Sequence, residues 1–313
     1  MKPLPELGLV CISASNQVRY KTTTRKRLLS LEPAEQQRVL RHLYAENLRR
    51  LRIAIDFCQA HQIRLYRMPS NLFPFADDAL GEDVLTEFAD DMRQVGDRAL
   101  ALGMRLVLHP DQFVVLNSDR PDVVTNSIKI LATHARVMDL LGLPRSPWAL
   151  MNIHGGKGGR SERLISVIRD LPDPIRLRLT LENDEYTYGA ESILEICRAA
   201  GVPMVFDAHH HVIHAQVDSY EHPSVATYLA AARTTWENSE WQLVHISNGE
   251  SAFHDQKHSG LIFAMPSAYR DVAWIEIEAK LKEEAIAKLQ QEWLPTLLRS
   301  GEQPQMQAVQ PAI

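Results

Sequence analysis

The chain has 313 residues, with 34 Lys and Arg against 39 Asp and Glu, and its formal net charge is −5 at pH 7 with His neutral. The hydrophobic fraction of 45% and the charged fraction of 23% are those of an ordinary globular protein, which excludes a disordered chain, a collagen-like chain and a small disulfide scaffold. The acidic balance argues against a nucleic-acid partner, because phosphate binding favours a positive surface.

The cysteines and the first residues bear on the compartment. Cys11, Cys58 and Cys197 lie far apart and form no CxxC motif, which predicts a reduced, cytoplasmic protein. Two prolines and a glutamate precede the first short apolar run, so no signal peptide is predicted. No apolar run approaches the roughly 20 residues of a membrane span, and we expect no membrane association.

Short apolar runs alternate with longer stretches of helical periodicity along the whole chain. Between the first strand and the first helix lies a polar loop, and residues 299–313 are expected to be a flexible C-terminal tail. In chain order the prediction is strand 7–13, helix 33–61, strand 63–68, helix 83–102, strand 104–109, helix 121–141, strand 148–154, helix 160–169, strand 177–182, helix 190–200, strand 203–207, helix 224–234, strand 241–247, irregular connection 248–269, strand 272–278 and helix 279–298.

This alternation predicts the fold class. Strands that alternate strictly with helices are typical of parallel β–α units, and eight such units close a (β/α)8 TIM barrel. An open doubly wound sheet is the alternative, although no Gly-x-Gly-x-x-Gly follows the first strand. We therefore expect a single α/β domain, a TIM barrel over residues 1–298, followed by the tail at 299–313.

A His or a carboxylate stands at or near the end of six consecutive predicted strands, and a barrel collects such side chains at one mouth. Imidazole and carboxylate groups bind divalent metals, and several carboxylates that face one another need cations to offset their charge. A buried network of ion pairs is the alternative. The strand-end residues are His109, His154, Glu182, Asp207, His245 and Glu278.

Further candidate ligands follow two of these strands. His210 lies three residues beyond Asp207, within a run of three histidines. The irregular connection contains His254 and His258, and long connections of this kind are usually functional. Several carboxylates suggest more than one ion, with Glu182 or Asp207 bridging two ions as in two-metal hydrolysis of a phosphate ester.

Two segments at the same predicted mouth favour a phosphate ligand. The glycine-rich stretch 155–159 contains Lys157, although its spacing is not that of a Walker A motif. The loop after the first strand has five cationic residues between positions 19 and 27. A flexible glycine turn and a solvated loop are the respective alternatives, but the location of the basic loop favours contact with phosphate.

Six motifs follow the predicted strands: His109-Pro-Asp-Gln-Phe113, Asn152-Ile-His154, Leu181-Glu-Asn-Asp-Glu185, Asp207-x-x-His210, Val244-His-Ile-Ser247 and Glu278-Ala-Lys280. Together they resemble the UV damage endonuclease family over about residues 7–284, which is similar in fold and metal arrangement to the type IV apurinic endonucleases. The resemblance implies a metal-dependent hydrolase that needs no nucleotide cofactor. It implies nicking of damaged double-stranded DNA on the 5′ side of cyclobutane dimers, (6-4) photoproducts and, more weakly, abasic sites, by a protein that we expect to be a monomer.

The resemblance also implies two or three divalent ions, with Mn²⁺ expected first and Zn²⁺ or Mg²⁺ as alternatives. Glu182 is expected to bridge ions and to orient the attacking water, and Lys157 is a second catalytic candidate that offsets phosphate charge. The implied ligands are His109, His154 and Glu182 for one ion, Glu182, Asp207, His245 and Glu278 for a second, and His210 with His258 for a third.

The same resemblance assigns contacts with DNA. Gln112 and Phe113 correspond to the pair that probes the distorted bases, and an aromatic ring suits that wedging role. In the basic loop, the expected DNA contacts are Arg19, Tyr20, Lys21 and Arg25.

The chain departs from the family pattern at four positions. Asp78 stands where the family often has a His, so either its carboxylate serves as a substitute metal ligand or that metal site is weakened. Leu243 replaces a lysine that some relatives modify into a ligand, whereas Leu9 and Phe113 replace tyrosines. A sugar isomerase or epimerase on the same type of barrel is the first alternative function, and a damage-binding protein without catalysis is the second.

Overall fold

The structure is a computed structural model that describes residues 3–110 and 113–299. Eight parallel strands pair in sequence order and the last closes on the first, which confirms the predicted (β/α)8 barrel. The strands are β1 (Glu6–Val10), β2 (Leu65–Met68), β3 (Arg105–Leu108), β4 (Met151–His154), β5 (Leu179–Glu182), β6 (Met204–Asp207), β7 (Leu243–Ile246) and β8 (Trp274–Ile277).

Helices surround the barrel and pack their apolar faces on it. In α2, Pro33 occupies the first turn, where a missing N–H costs nothing, and the buried positions recur every three or four residues. The helices are α1 (Arg25–Leu29), α2 (Pro33–Ala60), α3 (Ala79–Thr86), α4 (Ala89–Ala101), α5 (Pro121–Leu140), α6 (Ser161–Arg169), α7 (Asp173–Arg176), α8 (Ala190–Ala200), α9 (Ala208–Ala215), α10 (Pro223–Arg233), α11 (Lys282–Glu292) and α12 (Leu294–Arg299), with 3₁₀ turns at Pro147–Ala149, Ser239–Trp241 and Ser267–Asp271.

The register of the barrel brings the candidate ligands level with one another. His154 is paired with Glu182 across β4 and β5, and Asp207 is paired with His245 across β6 and β7. Because all strands are parallel, their carboxyl ends and the loops that follow lie at the same mouth.

Three segments differ from the prediction. The helix expected at 83–102 is two helices, α3 and α4, and the Phe88 ring between them packs against the Tyr44 ring at 6.4 Å. The helix expected at 279–298 is also two, because Pro295 has no N–H for a hydrogen bond and its ring clashes with the preceding turn. The histidine run after Asp207, where no helix was predicted, forms α9, whose first turn is capped because the Asp207 carboxylate accepts from the His210 N–H at 2.8 Å.

The long connection after β7 is irregular, as predicted, up to the 3₁₀ turn Ser267–Asp271. Asn248 holds this connection in place, because its side-chain oxygen accepts from the N–H groups of Phe263 and Ala264 at 2.7 and 2.9 Å. The expected tail at 299–313 lies outside the described residues apart from Arg299. Among the helices of the described ranges, none combines the length and the apolar character needed to cross a bilayer.

At the opposite end of the barrel from the ligands, Arg105 is fully buried, and no carboxylate among the described residues pairs with it. Its guanidinium donates to the carbonyls of Pro147, Trp148 and Trp241 at 2.7 to 2.9 Å. It also lies 5.0 to 5.9 Å from the rings of Trp148, Trp236 and Trp274. Burial lowers the pKa of Arg105 to about 9, so the group stays charged at neutral pH while it closes the barrel floor.

We predict that Arg105→Met lowers the free energy of unfolding by about 3 kcal/mol. The substitution leaves three buried carbonyl groups without a hydrogen-bond donor and removes the cation from the cage formed by Trp148, Trp236 and Trp274. Urea unfolding followed by tryptophan fluorescence measures this change. Arg64→Met is the matched control at the same end of the barrel, since the Arg64 side chain is 60% exposed and pairs only with Glu6 among its described ion pairs. The control should cost less than about 1 kcal/mol. Equal losses in the two variants would contradict a structural role for the cage.

Candidate metal centre

The carboxylate of Glu182, at the end of β5, is the point where the strand-end residues meet. One oxygen, Oε1, lies 3.0 Å from His245 Nδ1 and 3.3 Å from His210 Nδ1. The other, Oε2, lies 3.3 Å from His109 Nε2 and 4.0 Å from His154 Nε2. The Glu182 side chain is 1% exposed, so a buried anion is surrounded by imidazoles from four other segments of the barrel mouth.

The described residues form three groups whose ligand atoms lie within 4.8 Å of one another. Glu182 belongs to two of the groups, so its carboxylate would be a shared ligand if both groups held a cation. The donors are imidazole nitrogen and carboxylate oxygen without thiolate, a set that suits Mn²⁺, Zn²⁺ or Mg²⁺ rather than a soft metal. The groups are His109, His154 and Glu182; Glu182, Asp207 and His210; and His245, Glu276 and Glu278.

Electrostatics explain how these groups tolerate burial. Burial alone would raise the pKa of Glu182, but the positive fields of His245, His154 and the other histidines hold it well below its usual range. Burial alone would lower the pKa of His210, but the charges of Asp207 and Glu182 raise it well above its usual value. A positive charge on His210 therefore offsets the charge of these carboxylates, and a metal ion bound through His210 would have to displace its proton.

Unpartnered atoms in each group indicate that the residues fit a metal. Asp207 Oδ2, His154 Nδ1 and Glu276 Oε1 are buried and have no hydrogen-bond partner in the described chain. A buried carboxylate oxygen without a partner is costly, and coordination to a divalent ion removes the cost. The donor set and these open atoms therefore fit divalent ions.

Amides behind the ligands fix their orientation. Asn152 Nδ2 donates to Glu182 Oε2 at 2.5 Å, and the Asn152 oxygen in turn accepts from the Thr180 hydroxyl at 2.9 Å. Asn183 exchanges two hydrogen bonds with the backbone of Asp207, at 2.9 and 3.0 Å. The bridging carboxylate and the end of β6 are thus held before any metal arrives.

Two buried residues of the centre escape the sequence prediction. Glu276 lies two residues before Glu278 and shares its face of β8, a period-two signal that could have found it. Arg67 of β2 is a lone cation inside an apolar run, and its Nε donates to Glu276 Oε2 at 2.7 Å. Burial alone would lower the pKa of His245, which also lies here, but Glu182 and Glu276 raise it to about 10.

Some predicted ligands stand apart from the three groups. Asp78, expected to replace a histidine ligand, instead pairs with Arg25 at 2.7 Å, because its position before α3 places it beside the basic loop. His258 lies 3.8 Å from Glu278 Oε2 and lines the mouth, but it belongs to none of the three groups. The Nε2 atom of His254 lies 2.8 Å from the Val217 carbonyl. Metal ligation by Asp78, His254 and His258 stays a prediction, since none of the three belongs to the groups described above.

Lys157 is engaged at the rim rather than in the centre. Its ammonium pairs with Asp119 at 2.5 Å, and Arg160 pairs with the same carboxylate at 2.9 Å. The glycine-rich stretch around it is an ordered turn, because the Asn117 side chain donates to the carbonyls of Gly155 and Lys157. Gly156 has φ +75°, and a Cβ there would lie 2.6 Å from the Asn117 oxygen. Lys157 is thus placed as a surface cation and not beside Glu182.

The basic loop lies at the mouth of the barrel, but several of its polar groups form hydrogen bonds within the protein. Asn47 fixes it by exchanging two hydrogen bonds with the backbone of Lys21, whose side chain stays exposed. Arg19 donates to Asn16 at 2.7 Å. The Tyr20 hydroxyl lies 2.7 Å from the Tyr66 hydroxyl, a hydrogen bond inside the protein, and contact of Tyr20 with DNA stays a prediction.

Exposed aromatic rings rise from the loops at this mouth. Phe113 is 70% exposed, whereas its predicted companion Gln112 lies outside the described residues. Tyr186 and Phe263, which the sequence prediction missed, are 65% and 71% exposed on the loops after β5 and β7. Phe113 also lines a cavity of about 610 Å³ that contains Glu182 and the histidines around it. Flat apolar surfaces therefore stand next to a charged, concave centre.

Comparison with known proteins agrees with this arrangement. A model of the family described as UV-endonuclease UvdE matches residues 5–301. The chain is 58% identical over 292 residues to the UV DNA damage endonuclease of Nostoc sp., which covers 93% of this chain and 91% of that protein. It is 52% identical over 289 residues to the UV DNA damage endonuclease of Deinococcus radiodurans, which covers 91% of this chain and 95% of that protein.

Solved structures extend the likeness to the fold. The crystal structure of SacUVDE superposes with a TM-score of 0.78 and 25% identity, over 96% of this chain and all of that one. Endonuclease IV from Thermus thermophilus, at 14% identity and a TM-score of 0.59, and D-psicose 3-epimerase from Clostridium cellulolyticum, at 11% and 0.53, share the barrel fold alone. From its family match, its relatives and its site, the chain belongs to the UV-endonuclease UvdE family.

Proposed function

We propose that this member of the UV-endonuclease UvdE family is a divalent-metal-dependent hydrolase that nicks double-stranded DNA on the 5′ side of UV photoproducts and, more weakly, at abasic sites. The observation that carries the proposal is the bridging position of Glu182 between two groups of ligands. Two-metal sites of this kind serve phosphodiester hydrolysis, and the names of the close relatives supply the substrate class.

His109 and His154 with Glu182 would hold one ion, and Glu182, Asp207 and His210 would hold the next. When bound, such ions supply Lewis-acid activation of water and charge stabilisation at the phosphate. Glu182, oriented by Asn152, is placed to position a water between the two groups and to accept its proton. The open oxygen of Asp207 gives the second group a ligand that no protein donor occupies.

The chain's own surface accounts for the approach of DNA. Lys157, Arg160 and Arg163 gather around Asp119 on one rim, and the basic loop lies on another. These cations attract the phosphate backbone without reading its sequence. The exposed Phe113 ring supplies a stacking surface for bases that a lesion has already unstacked. Selectivity then rests on distortion of the duplex rather than on base sequence.

Neither alternative function gains a specific observation. The likeness to sugar epimerases is one of fold alone. An enzyme that acts on a free sugar would have no use for the exposed Phe113 ring or for the cations on the rims. A damage-binding protein without catalysis leaves the bridging carboxylate and the open ligand atoms unexplained.

We predict that Glu182→Gln lowers the rate of incision of a UV-irradiated duplex by about 10³-fold, equivalent to about 4 kcal/mol of transition-state stabilisation, because it removes the bridging charge. Denaturing electrophoresis of an end-labelled duplex with one photoproduct, with and without Mn²⁺, measures both the rate and the cleavage position. Glu240→Gln, an exposed carboxylate at the other end of the barrel, is the control and should incise normally. A wild-type protein that incises equally well in EDTA would refute metal dependence.

We also predict that Phe113→Ala weakens binding of photoproduct-containing duplex by about 10-fold, the loss expected when one base loses an aromatic stacking partner. Fluorescence anisotropy with damaged and undamaged duplexes measures the change. The melting temperature should not change, because the ring is 70% exposed. Leu177→Ala, a partly exposed apolar residue at the other end of the barrel, is the control. An equal loss of affinity for undamaged duplex would contradict a role in lesion recognition.

A further inference from the structure

Phe263 is an exposed aromatic ring that the proposed function leaves unused. It lies on the connection between β7 and β8, and it is 71% exposed, as much as Phe113 on the connection after β3. Single exposed apolar residues are common on protein surfaces, so exposure alone does not indicate a binding site. The backbone around this ring and its place at the barrel mouth carry the argument further.

The backbone is fixed on both sides of the Phe263 ring. The N–H groups of Phe263 and Ala264 both donate to the Asn248 side-chain oxygen, at 2.7 and 2.9 Å. Asn248 is itself 6% exposed, and its amide nitrogen donates to the carbonyls of Ser247 and Ala264 at 2.7 and 3.1 Å. The preceding side chain, Ile262, is 3% exposed and packs in the main core. An ordered segment therefore presents the ring to solvent.

The barrel topology places Phe263 across the mouth from Phe113. In the closed order of eight strands, β3 and β7 are four positions apart in either direction, so the loops that follow them lie on opposite sides of the mouth. The cavity that contains Glu182 is lined by Phe113 on one side and by His258, from the same connection as Phe263, on the other. The candidate metal centre thus lies between the two exposed rings.

A distorted duplex has a use for two such rings. Where a lesion unstacks the DNA, two base-pair faces are left open, one on each side of the lesion. Unstacking costs a few kcal/mol per step, and an aromatic side chain that stacks on an open face recovers part of that cost. The Phe113 ring can cover one face. A ring on the opposite rim of the same cavity is placed to cover the other.

We propose that Phe263 is a second DNA-contacting residue, which stacks on the base pair on the side of the lesion away from Phe113. This inference rests on the proposed function and extends it to the part of the duplex that approaches the connection after β7. The two rings hold the DNA on both sides of the candidate metal centre. Because an intact duplex keeps its base faces stacked, this double contact favours distorted DNA.

Removal of one ring or both tests the proposal. Fluorescence anisotropy in EDTA compares the full-length wild type, Phe263→Ala, Phe113→Ala and the double variant on a duplex with one photoproduct and on an undamaged duplex. We expect Phe263→Ala to weaken binding of the damaged duplex by about 10-fold, the loss of one stacked base, and to change binding of the undamaged duplex by less than about 2-fold. Since the rings act independently, the double variant should lose about 100-fold.

The incision assay with Mn²⁺ gives a second measure of the same effect. Phe263→Ala should raise KM for the damaged duplex by about 10-fold and leave kcat unchanged, because the ring binds DNA without touching the reacting atoms. Phe263→Trp, which keeps an aromatic face, should behave as the wild type. Leu177→Ala is the control at the other end of the barrel and should bind and incise normally. Melting followed by circular dichroism should be unchanged in Phe263→Ala, because the ring is exposed.

A fluorescent adenine analogue, whose emission is quenched by stacking, reports which side of the lesion each ring contacts. The analogue is placed on one flank of the lesion or on the other. Phe263→Ala should restore emission on one flank only, and Phe113→Ala on the opposite flank only. Restoration on the same flank by both variants would contradict contacts on two sides.

The outcomes separate this inference from the proposed function. Wild-type affinity and KM in Phe263→Ala, a double variant no weaker than Phe113→Ala, or equal losses on damaged and undamaged duplex each contradict the inference and leave incision intact. A wild-type protein that does not incise, in which Phe263→Ala still weakens binding of the damaged duplex, contradicts the proposed function alone. A wild-type protein that neither binds nor incises the damaged duplex contradicts both.

Discussion

Burial of several carboxylates within one barrel mouth is the constraint on which the rest of this structure depends. Glu182, Asp207 and Glu276 are each almost fully buried, and Glu278 lies beside them at the end of β8. Isolated carboxylates in such a place would take up protons, because desolvation raises their pKa. The fold instead surrounds them with charges that follow from position in the barrel: histidines at the ends of β3, β4 and β7, His210 in the first turn of α9, and Arg67 inside β2.

Barrel geometry is what allows so many charges to meet. Parallel strands present their carboxyl ends together, so residues 178 positions apart, Arg67 and His245, come into contact. At the other end of the barrel a single charge, that of Arg105, is buried. Its guanidinium donates hydrogen bonds to backbone carbonyls and lies against tryptophan rings. The Arg105 guanidinium and the tryptophan rings thus fill one end of the barrel, whereas at the other end several buried ligand atoms have no hydrogen-bond partner among the described residues.

Much of the fold and part of the site could be predicted from the sequence, because both depend on local periodicity. The eight strand runs and the polar residues at their ends depend only on neighbours in the chain, and Glu182 is found this way. Glu276 lies two residues before Glu278 and therefore on the same face of the predicted strand. It was not predicted, because only residues at the ends of strands were candidates. Arg67 could not be assigned, because an arginine in an apolar run gives no sign of which distant carboxylates it will meet.

The expectations at Asp78 and Tyr20 stay predictions, and the structure gives both side chains contacts that the sequence did not indicate. Motif position suggested a ligand at Asp78, but the neighbouring loop supplies Arg25, and the ion pair at 2.7 Å takes the carboxylate. Tyr20 belongs to the basic loop by sequence, yet its hydroxyl lies against Tyr66, because the loop turns inward where Asn47 fixes the backbone of Lys21. The sequence shows which side chains a segment contains, but not which of them form the hydrogen bonds and ion pairs that hold the segment in place.

The net charge of −5 is compatible with a DNA substrate for a related reason. Net charge counts every group equally, whereas a polyanion experiences the field at the surface it approaches. Several of the acidic groups are buried inside the centre, where histidines and Arg67 offset their charge, so these groups contribute little to the field at the surface. On one rim, three basic side chains share the single carboxylate of Asp119, so the local charge there is positive. They are Lys157, Arg160 and Arg163. Affinity for undamaged DNA should therefore stay modest, which suits an enzyme that must leave intact duplex and remain where the helix is already distorted.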